Sequence, residues 1–202
     1  VIRGYLANVD EVRVRGVELE LNAQPTDHLN VFLSSTYMDH EYVRFPNAPC
    51  PPELSGGPAA SPENPPSAPG TPGGFSPPFC DISGQWLPGI SKWSLAYGFE
   101  YDLPLAALGP NGGAYFAFDG SYRSKFSSNP SRSIYTDVSG YGLANFRAGA
   151  RFGNGWNVYG WVRNAFDKDY FEFLSTQSGN TGLVVAQLGD PRTYGVTVNK
   201  SF

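Results

Sequence analysis

Hydrophobic and polar residues alternate along most of this chain, and the alternation continues to its last residues. Counting back from Phe202, Lys200, Val198, Val196 and Tyr194 share one face, while Ser201, Asn199, Thr197 and Gly195 share the other. A period of two predicts a β-strand, because successive side chains point to opposite faces. The same reading predicts six further strands. Residues 11–24 set Val17, Leu19, Leu21 and Ala23 against Glu18, Glu20 and Asn22. The first half of that segment breaks phase at Arg13 and Arg15, as suits a stretch projecting beyond a bilayer. Residues 29–42 alternate Leu29, Val31, Leu33, Ser35 and Tyr37 with Asn30, Phe32, Ser34, Thr36 and Met38. Residues 91–102 are the cleanest, with Trp93, Leu95, Tyr97, Phe99 and Tyr101 opposite Lys92, Ser94, Ala96, Gly98, Glu100 and Asp102. Residues 114–126 place Phe116, Phe118 and Tyr122 opposite Asp119, Ser121, Arg123 and Lys125, and residues 139–152 place Phe146, Ala148, Ala150 and Phe152 opposite Asn145, Arg147 and Arg151. In residues 156–166 both faces carry apolar residues; Arg163 sits in the set of Tyr159 and Trp161, which assigns Val158 and Val162 to the apolar face. Residues 1–6 read as the end of an eighth strand.

These strands run to about 10–14 residues, longer than the usual 5 or 6 of a soluble sheet and close to what a tilted strand needs to cross a bilayer. The gaps between them alternate in length. Residues 25–28, 103–113 and 153–155 are the shorter ones; residues 43–90, 127–138 and 167–190 are the longer. In an antiparallel meander that sorting puts all long loops at one end, as in outer-membrane barrels with short periplasmic turns and long extracellular loops.

Composition removes competitors. Of the 202 residues, 16% are charged and 15% aromatic, whereas a soluble domain carries roughly 25% charged residues. A mean hydropathy of -0.29 is compatible with a barrel, since only alternate residues meet lipid. No run approaches the roughly 20 apolar residues of a spanning helix. A net charge of -4 offers no basic field for a phosphate backbone, so no nucleic-acid partner is expected. The chain opens at Val1 in mid-pattern, with neither an initiator Met nor a signal-like segment, and is expected to be a fragment of a longer protein or a processed piece.

Twelve of the 18 prolines fall between Pro46 and Pro78, a composition that builds no core. Cys50 and Cys80 are the chain's two cysteines and bracket this segment. In an exported protein they are a candidate disulfide that closes the loop; the alternative is two free thiols.

Three segments resemble a known family. Asn164-Ala165-Phe166-Asp167-Lys168-Asp169-Tyr170 resembles the N-L-F-D-x-x-Y motif that ends the penultimate strand of TonB-dependent outer-membrane receptors. The closing segment from Gly189 to Val198, with the terminal Phe202, resembles their G-x-P-R-T-Y-G-V-x-L ending, and Arg15-Gly16-Val17-Glu18-Leu19-Glu20 their R-G-x-E-x-E strand. Ala165 stands where the family usually has Leu, and Lys200 where it often has an aromatic. The resemblance implies an all-β fold: an antiparallel transmembrane β-barrel segment of seven or eight strands from a barrel of about 22. The whole chain, 1–202, is then the C-terminal portion of the barrel domain, with an extracellular loop at 43–90 and the N-terminal plug domain outside this chain. It further implies uptake of a scarce ligand, such as a ferric siderophore or other iron complex, in a Gram-negative outer membrane. The implied partners are membrane lipid, the receptor's own plug, TonB, and the barrel-assembly machinery, for which Tyr194, Val196, Val198 and Phe202 are the candidate signal.

Site chemistry in the residues is sparse. Glu18, Glu20, Lys92, Glu100, Arg123, Lys125, Arg147 and Arg151 are candidate lumen-facing contacts to plug or ligand; the simpler expectation is that they satisfy one another and water. Tyr135, Tyr141 and Phe171-Glu172-Phe173 fall near the predicted outer loops. His28 and His40 lie ~40 Å apart along one strand, too far for joint ligation, and read as interfacial polar residues. No catalytic frame, metal set or cofactor motif is present, so no enzyme is expected. Two other functions fit the pattern: a passive porin or channel, and a soluble adhesive β-sandwich that hides Trp93, Leu95, Tyr97 and Phe99 in a core.

Overall fold

Seven long strands lie side by side in chain order in the computed structural model, which describes residues 8–51, 79–130, 132–177 and 183–201. The strand remnant expected at 1–6, Phe202 and most of the proline-rich loop lie outside the described residues. In chain order the strands are β1 (Glu11–Thr26), β2 (Leu29–Arg44), β3 (Trp93–Pro104), β4 (Gly113–Arg123), β5 (Phe126–Ser127), β6 (Asp137–Val138), β7 (Tyr141–Arg151), β8 (Trp156–Arg163), β9 (Phe171–Thr176), β10 (Val184–Leu188) and β11 (Thr193–Lys200). The main sheet has the order β1-β2-β3-β4-β7-β8-β11, antiparallel throughout; β5/β6 and β9/β10 are small ladders inside the connections.

Register explains why the alternation in sequence becomes two different surfaces. Ala23, Val31, Phe99, Phe118, Phe146, Val162 and Tyr194 are successive partners across all seven strands. Rings in this region pack at centroid distances of 5.9 Å for Phe99–Phe118 and 5.1 Å for Phe118–Phe146, cross-strand aromatic contacts of the kind that pin a register. One residue along, on the opposite face, Asn30, Glu100, Ala117, Arg147 and Trp161 form a polar row ending on an indole. Val158 and Val162 fall on the apolar face, opposite Val198 and Tyr194.

Nothing among the described residues covers the apolar face. Tyr194 is 80% exposed, Val196 73% and Val17 69%, and the described helices are two 3-10 turns, Ala106–Leu108 and Ile134–Thr136. Burying a large apolar side chain is worth about 1.5–3 kcal/mol, so a water-soluble sheet left this way forgoes tens of kcal/mol. The sandwich reading required Trp93, Leu95, Tyr97 and Phe99 to lie between two layers. They share the uncovered face of a single sheet, and that reading falls.

Short connections join β1–β2, β3–β4 and β7–β8; long ones join β2–β3, β4–β7 and β8–β11. Antiparallel order therefore sorts them to opposite ends, as the gap lengths predict. β1 and β2 each run 16 residues, past the point where β3 begins opposite Tyr37. Arg13, paired with Glu41, and Arg44, 3.4 Å from Asp10, lie on this projecting ribbon, which accounts for the phase break there. At the other flank β8 and β11 have only 8 residues each, because the strand continues as β9 after a break at residues 164–170. Gly98 is needed where it stands: a Cβ there would lie 2.7 Å from the Phe32 ring and 2.3 Å from the Phe118 carbonyl oxygen.

Candidate functional site

The polar face carries one cluster of mutually paired charges, Glu100, Asp102, Arg147 and Arg151. Glu100 accepts from Arg151 Nη2 at 2.5 Å and lies 3.8 Å from Arg147; Arg151 also bonds Asp102 and stacks its guanidinium 4.0 Å over the Tyr115 ring. Register places Arg147 and Arg151 two strands from Glu100 and Asp102: the small Ala117 of β4 lies between Arg147 and Glu100, and Arg151, opposite Gly113, reaches diagonally past Tyr115, which faces Asp102. Half-exposed pairs of this kind are each worth about 0–1 kcal/mol. They set the pattern of charge on the face more than they stabilise it. The cluster borders two open depressions of about 480 and 470 Å³, the first lined by Asn22, Asn30 and Phe32, the second by Asn145, Tyr159 and Trp161, with Asp119 and Arg147 in both.

The other candidate residues stand apart from that cluster. Glu18 and Glu20 share the face but, among the described residues, make no ion pair. Arg123, at the outer end of β4, donates to Ser91 Oγ at 3.1 Å and packs 3.7 Å over Phe126. Lys92 and Lys125 lie just outside β3 and β4: Lys92 is 3.4 Å from Asp39, and Lys125 is 2.9 Å from Asp137. Tyr194, Val196 and Val198 are on the apolar face of β11. Among the described residues no three His, Cys, Asp or Glu side chains are grouped to hold a metal ion.

At the long-loop end the connections fold onto one another. Cys50 and Cys80 are joined by a disulfide, with Cα atoms 5.0 Å apart, next to an antiparallel bridge between Ala48 and Cys80. A small core of Tyr42, Phe45, Ala48 and Ile82, with Leu87 against it, lies beside this bridge. Ser128 of the β4–β7 loop donates to the Leu174 carbonyl at 2.5 Å and accepts the Leu174 N–H at 3.0 Å, which ties that loop to β9. The Tyr141 and Tyr170 rings pack at a centroid distance of 4.3 Å, tilted by 33°. The β9/β10 hairpin falls where alternation had read only a long loop.

His40 differs from its expected place. It is 1% exposed, and its Nδ1 accepts the Leu87 N–H at 3.0 Å. Burial, with Lys92 and Arg132 nearby, lowers its pKa below the ordinary value; Asp39 opposes the shift. Because the folded pKa lies below the unfolded one, this group's contribution is complete above about pH 6.5 and is lost as pH falls toward the folded value. The protection factor of the Leu87 amide, its exchange rate taken relative to the intrinsic rate at each pH, is therefore expected to fall from about pH 7 toward about pH 5, and His40→Asn to remove that fall; an unchanged protection profile in the variant would contradict the assignment.

Asn164, 5% exposed, explains the break between β8 and β9. Its Nδ2 donates to the carbonyls of Lys168 and Asp190, each at 3.0 Å, its Oδ1 accepts from Lys168 N at 2.8 Å, and its N–H reaches Asn145 Oδ1 at 2.9 Å. Asn164 sits at φ 47 and Asp167 at φ 52, a left-handed region that Asn and Asp tolerate better than most residues. Asp167 Oδ1 accepts the Arg192 N–H at 2.9 Å, and Gly189 leaves room for the Tyr170 ring, which a Cβ would meet at 2.0 Å. The Asn164–Tyr170 motif is thus a clamp between the last two long strands, in which the Asn164 side chain and Asp167 Oδ1 hold backbone groups.

A family model described as TonB dependent receptor-like, beta-barrel, matches residues 2–165. The chain is similar in structure to the ferric yersiniabactin uptake receptor FyuA from Yersinia pestis, with TM-score 0.66 and 13% identity over 95% of this chain and 24% of that one. It is also similar to the siderophore receptor PiuA from Acinetobacter baumannii (TM-score 0.59, 18% identity, 93% and 21% covered). A third similar structure is BauA, the ferric preacinetobactin receptor of Acinetobacter baumannii (0.54, 19%, 93% and 22%). This chain thus spans less than a quarter of the length of each. No curated protein sequence matches it. With the family model covering most of the chain and the open antiparallel sheet agreeing with it, the chain belongs to the TonB-dependent receptor β-barrel family.

Proposed function

We propose that this chain is the C-terminal wall of an outer-membrane barrel that takes up a scarce ligand, most directly a ferric siderophore or other iron complex, with energy from TonB. The carrying observation is the uncovered apolar row across seven strands, backed by a polar face and by long loops gathered at one end. That arrangement suits lipid outside, a wet lumen inside and ligand capture at the mouth. On this reading the membrane is the Gram-negative outer membrane, and a plug domain and the TonB contact belong to the rest of the receptor. The apolar face of β11, with Phe202, is offered to the assembly machinery. No catalytic role is assigned to any side chain. The polar-face cluster around Glu100, Arg147 and Arg151 faces the plug or the passing ligand.

The test is uptake of radiolabelled iron from a panel of ferric chelates by cells whose own receptors are deleted and which express the full-length protein. Uptake that requires both the receptor and TonB supports the reading. Receptor-dependent entry that persists without TonB would instead identify a passive channel.

Export also gives the Cys50–Cys80 bond a role. A link closing about 30 residues restricts the unfolded loop by roughly 3–4 kcal/mol on the loop-entropy model. Cys50→Ser with Cys80→Ser is expected to hasten proteolysis between residues 44 and 90 at least tenfold, with barrel melting unchanged. Equal cleavage rates would show that the bond constrains nothing.

A further inference from the structure

Three donor nitrogens at the outer mouth have no acceptor among the described residues. Nδ1 of His40 is occupied by the Leu87 N–H, which puts the proton of the neutral ring on Nε2. That Nε2 is buried and unpartnered. Arg132, its side chain 12% exposed, is in the same condition at Nε and Nη1. Buried donors are nearly always satisfied, and three left over in one neighbourhood mark a place where an acceptor belongs.

The strip from Gln85 to Leu87 holds the two side chains together. The Gln85 carbonyl accepts the Tyr42 N–H at 2.9 Å, its Oε1 lies 3.5 Å from Arg132 Nη2, and Leu87 reaches His40. His40 shares a strand face with Thr36 and Met38, the polar side of β2. Arg132 comes from the β4–β7 loop, with its backbone at φ 57, a conformation uncommon for a non-glycine residue and found often at functional sites. The surrounding charge favours an anion. Arg132, Lys92 and Lys125 face two carboxylates, Asp39 and Asp137. Asp137 stands 3.5 Å from Arg132 Nη1 without making a hydrogen bond, and its other oxygen is held by Lys125 at 2.9 Å.

We propose that Arg132 and His40 form an oxyanion-binding site at the outer mouth, which takes a carboxylate or phosphate group of an incoming ligand. Arg132 supplies charge and two N–H donors; His40 supplies a neutral donor fixed in direction by Leu87. The proposal deepens the uptake reading and rests on it only for the molecule that carries the oxyanion.

The test uses the full-length receptor in lipid nanodiscs, with imidazole nitrogens labelled. Inorganic phosphate and acetate are titrated separately up to about 50 mM, where even a weak, millimolar site saturates. Saturable movement of the His40 Nε2 resonance is expected with at least one of them, and the stronger ligand shows which oxyanion the site prefers. Arg132→Gln is expected to weaken binding about tenfold or more, since a charge-assisted contact is lost. Arg132→Lys, which keeps the charge and protects against a general failure of the loop, is expected to fall between. Absence of a saturable shift with both anions, or equal affinity in Arg132→Gln, overturns the site, as does finding the donors occupied by water or by the receptor's own loop. Anion binding without TonB-dependent uptake leaves this site standing and removes the transport reading; uptake without anion binding does the reverse.

Discussion

Phe118→Arg is expected to keep the barrel from assembling, while Ser121→Arg, three residues further along the same strand, leaves assembly intact. Phe118 sits in the middle of the apolar row, between Phe99 and Phe146, at the level where a lipid-facing arginine costs about 2–4 kcal/mol. Loss of the ring contacts to Tyr97, Phe99 and Phe146 adds about 0.5–1.5 kcal/mol for each pair. Ser121 lies on the opposite face, paired with Ala96 and Leu143, where an arginine side chain extends into water. The readout is the fraction of full-length receptor in the outer membrane that resists unfolding in detergent without heating. Similar losses in both variants would mean that the two faces do not meet different solvents.

The second large effect is at Asn164. Replacing it with Ala leaves the Lys168 N–H and the Lys168 and Asp190 carbonyls without their partner, and an unsatisfied buried polar group costs about 1–3 kcal/mol. Ala also accepts the positive φ less readily than Asn, at a cost of about 1–2 kcal/mol. The combined loss falls on the link between β8 and β11. Asn164→Ala is expected to lower the melting temperature and to expose the β9/β10 hairpin to protease. Asn164→Asp, which keeps the acceptor for Lys168 N but sets a carboxylate oxygen against the Lys168 and Asp190 carbonyls, should be no milder than Asn164→Ala at neutral pH. A variant with wild-type melting and proteolysis would show that the clamp is ornamental.

Much of the fold was legible because period-two alternation carries both strand identity and facing. In residues 91–102 and 114–123 the large apolar residues of one parity appear on the same side of the sheet, while Phe126, of the same parity, lies buried in the separate β5/β6 ladder; the Val158/Val162 assignment needed only the position of Arg163. The family motifs marked the right places but not their physics. That Asn164 spends its side chain on the carbonyls of Lys168 and Asp190 depends on a residue 26 positions away. Sequence periodicity cannot express such a pairing. β9 and β10 were missed for a related reason: Phe171-Glu172-Phe173 and Val184-Val185 are too short and too mixed to announce a hairpin, and Ser128, from another loop, holds it in place. His40 is hidden by Leu87, 47 residues further along, across a segment whose composition reads only as loop. The mouth is built from contacts between loops, and local pattern is silent about those.

The account depends most on which solvent each face of the sheet meets. Nitroxide labels placed singly at residues 93–101 of the full-length receptor in nanodiscs, in a background with Cys50 and Cys80 replaced by Ser, measure this directly through collision with oxygen and with a water-soluble nickel chelate. Oxygen collision should peak at 93, 95, 97, 99 and 101, and nickel collision at the residues between them, with a period of two. Nickel collision at both sets, or oxygen and nickel both excluded from the odd-numbered positions, would place the apolar face in water or inside a protein core and contradict the barrel.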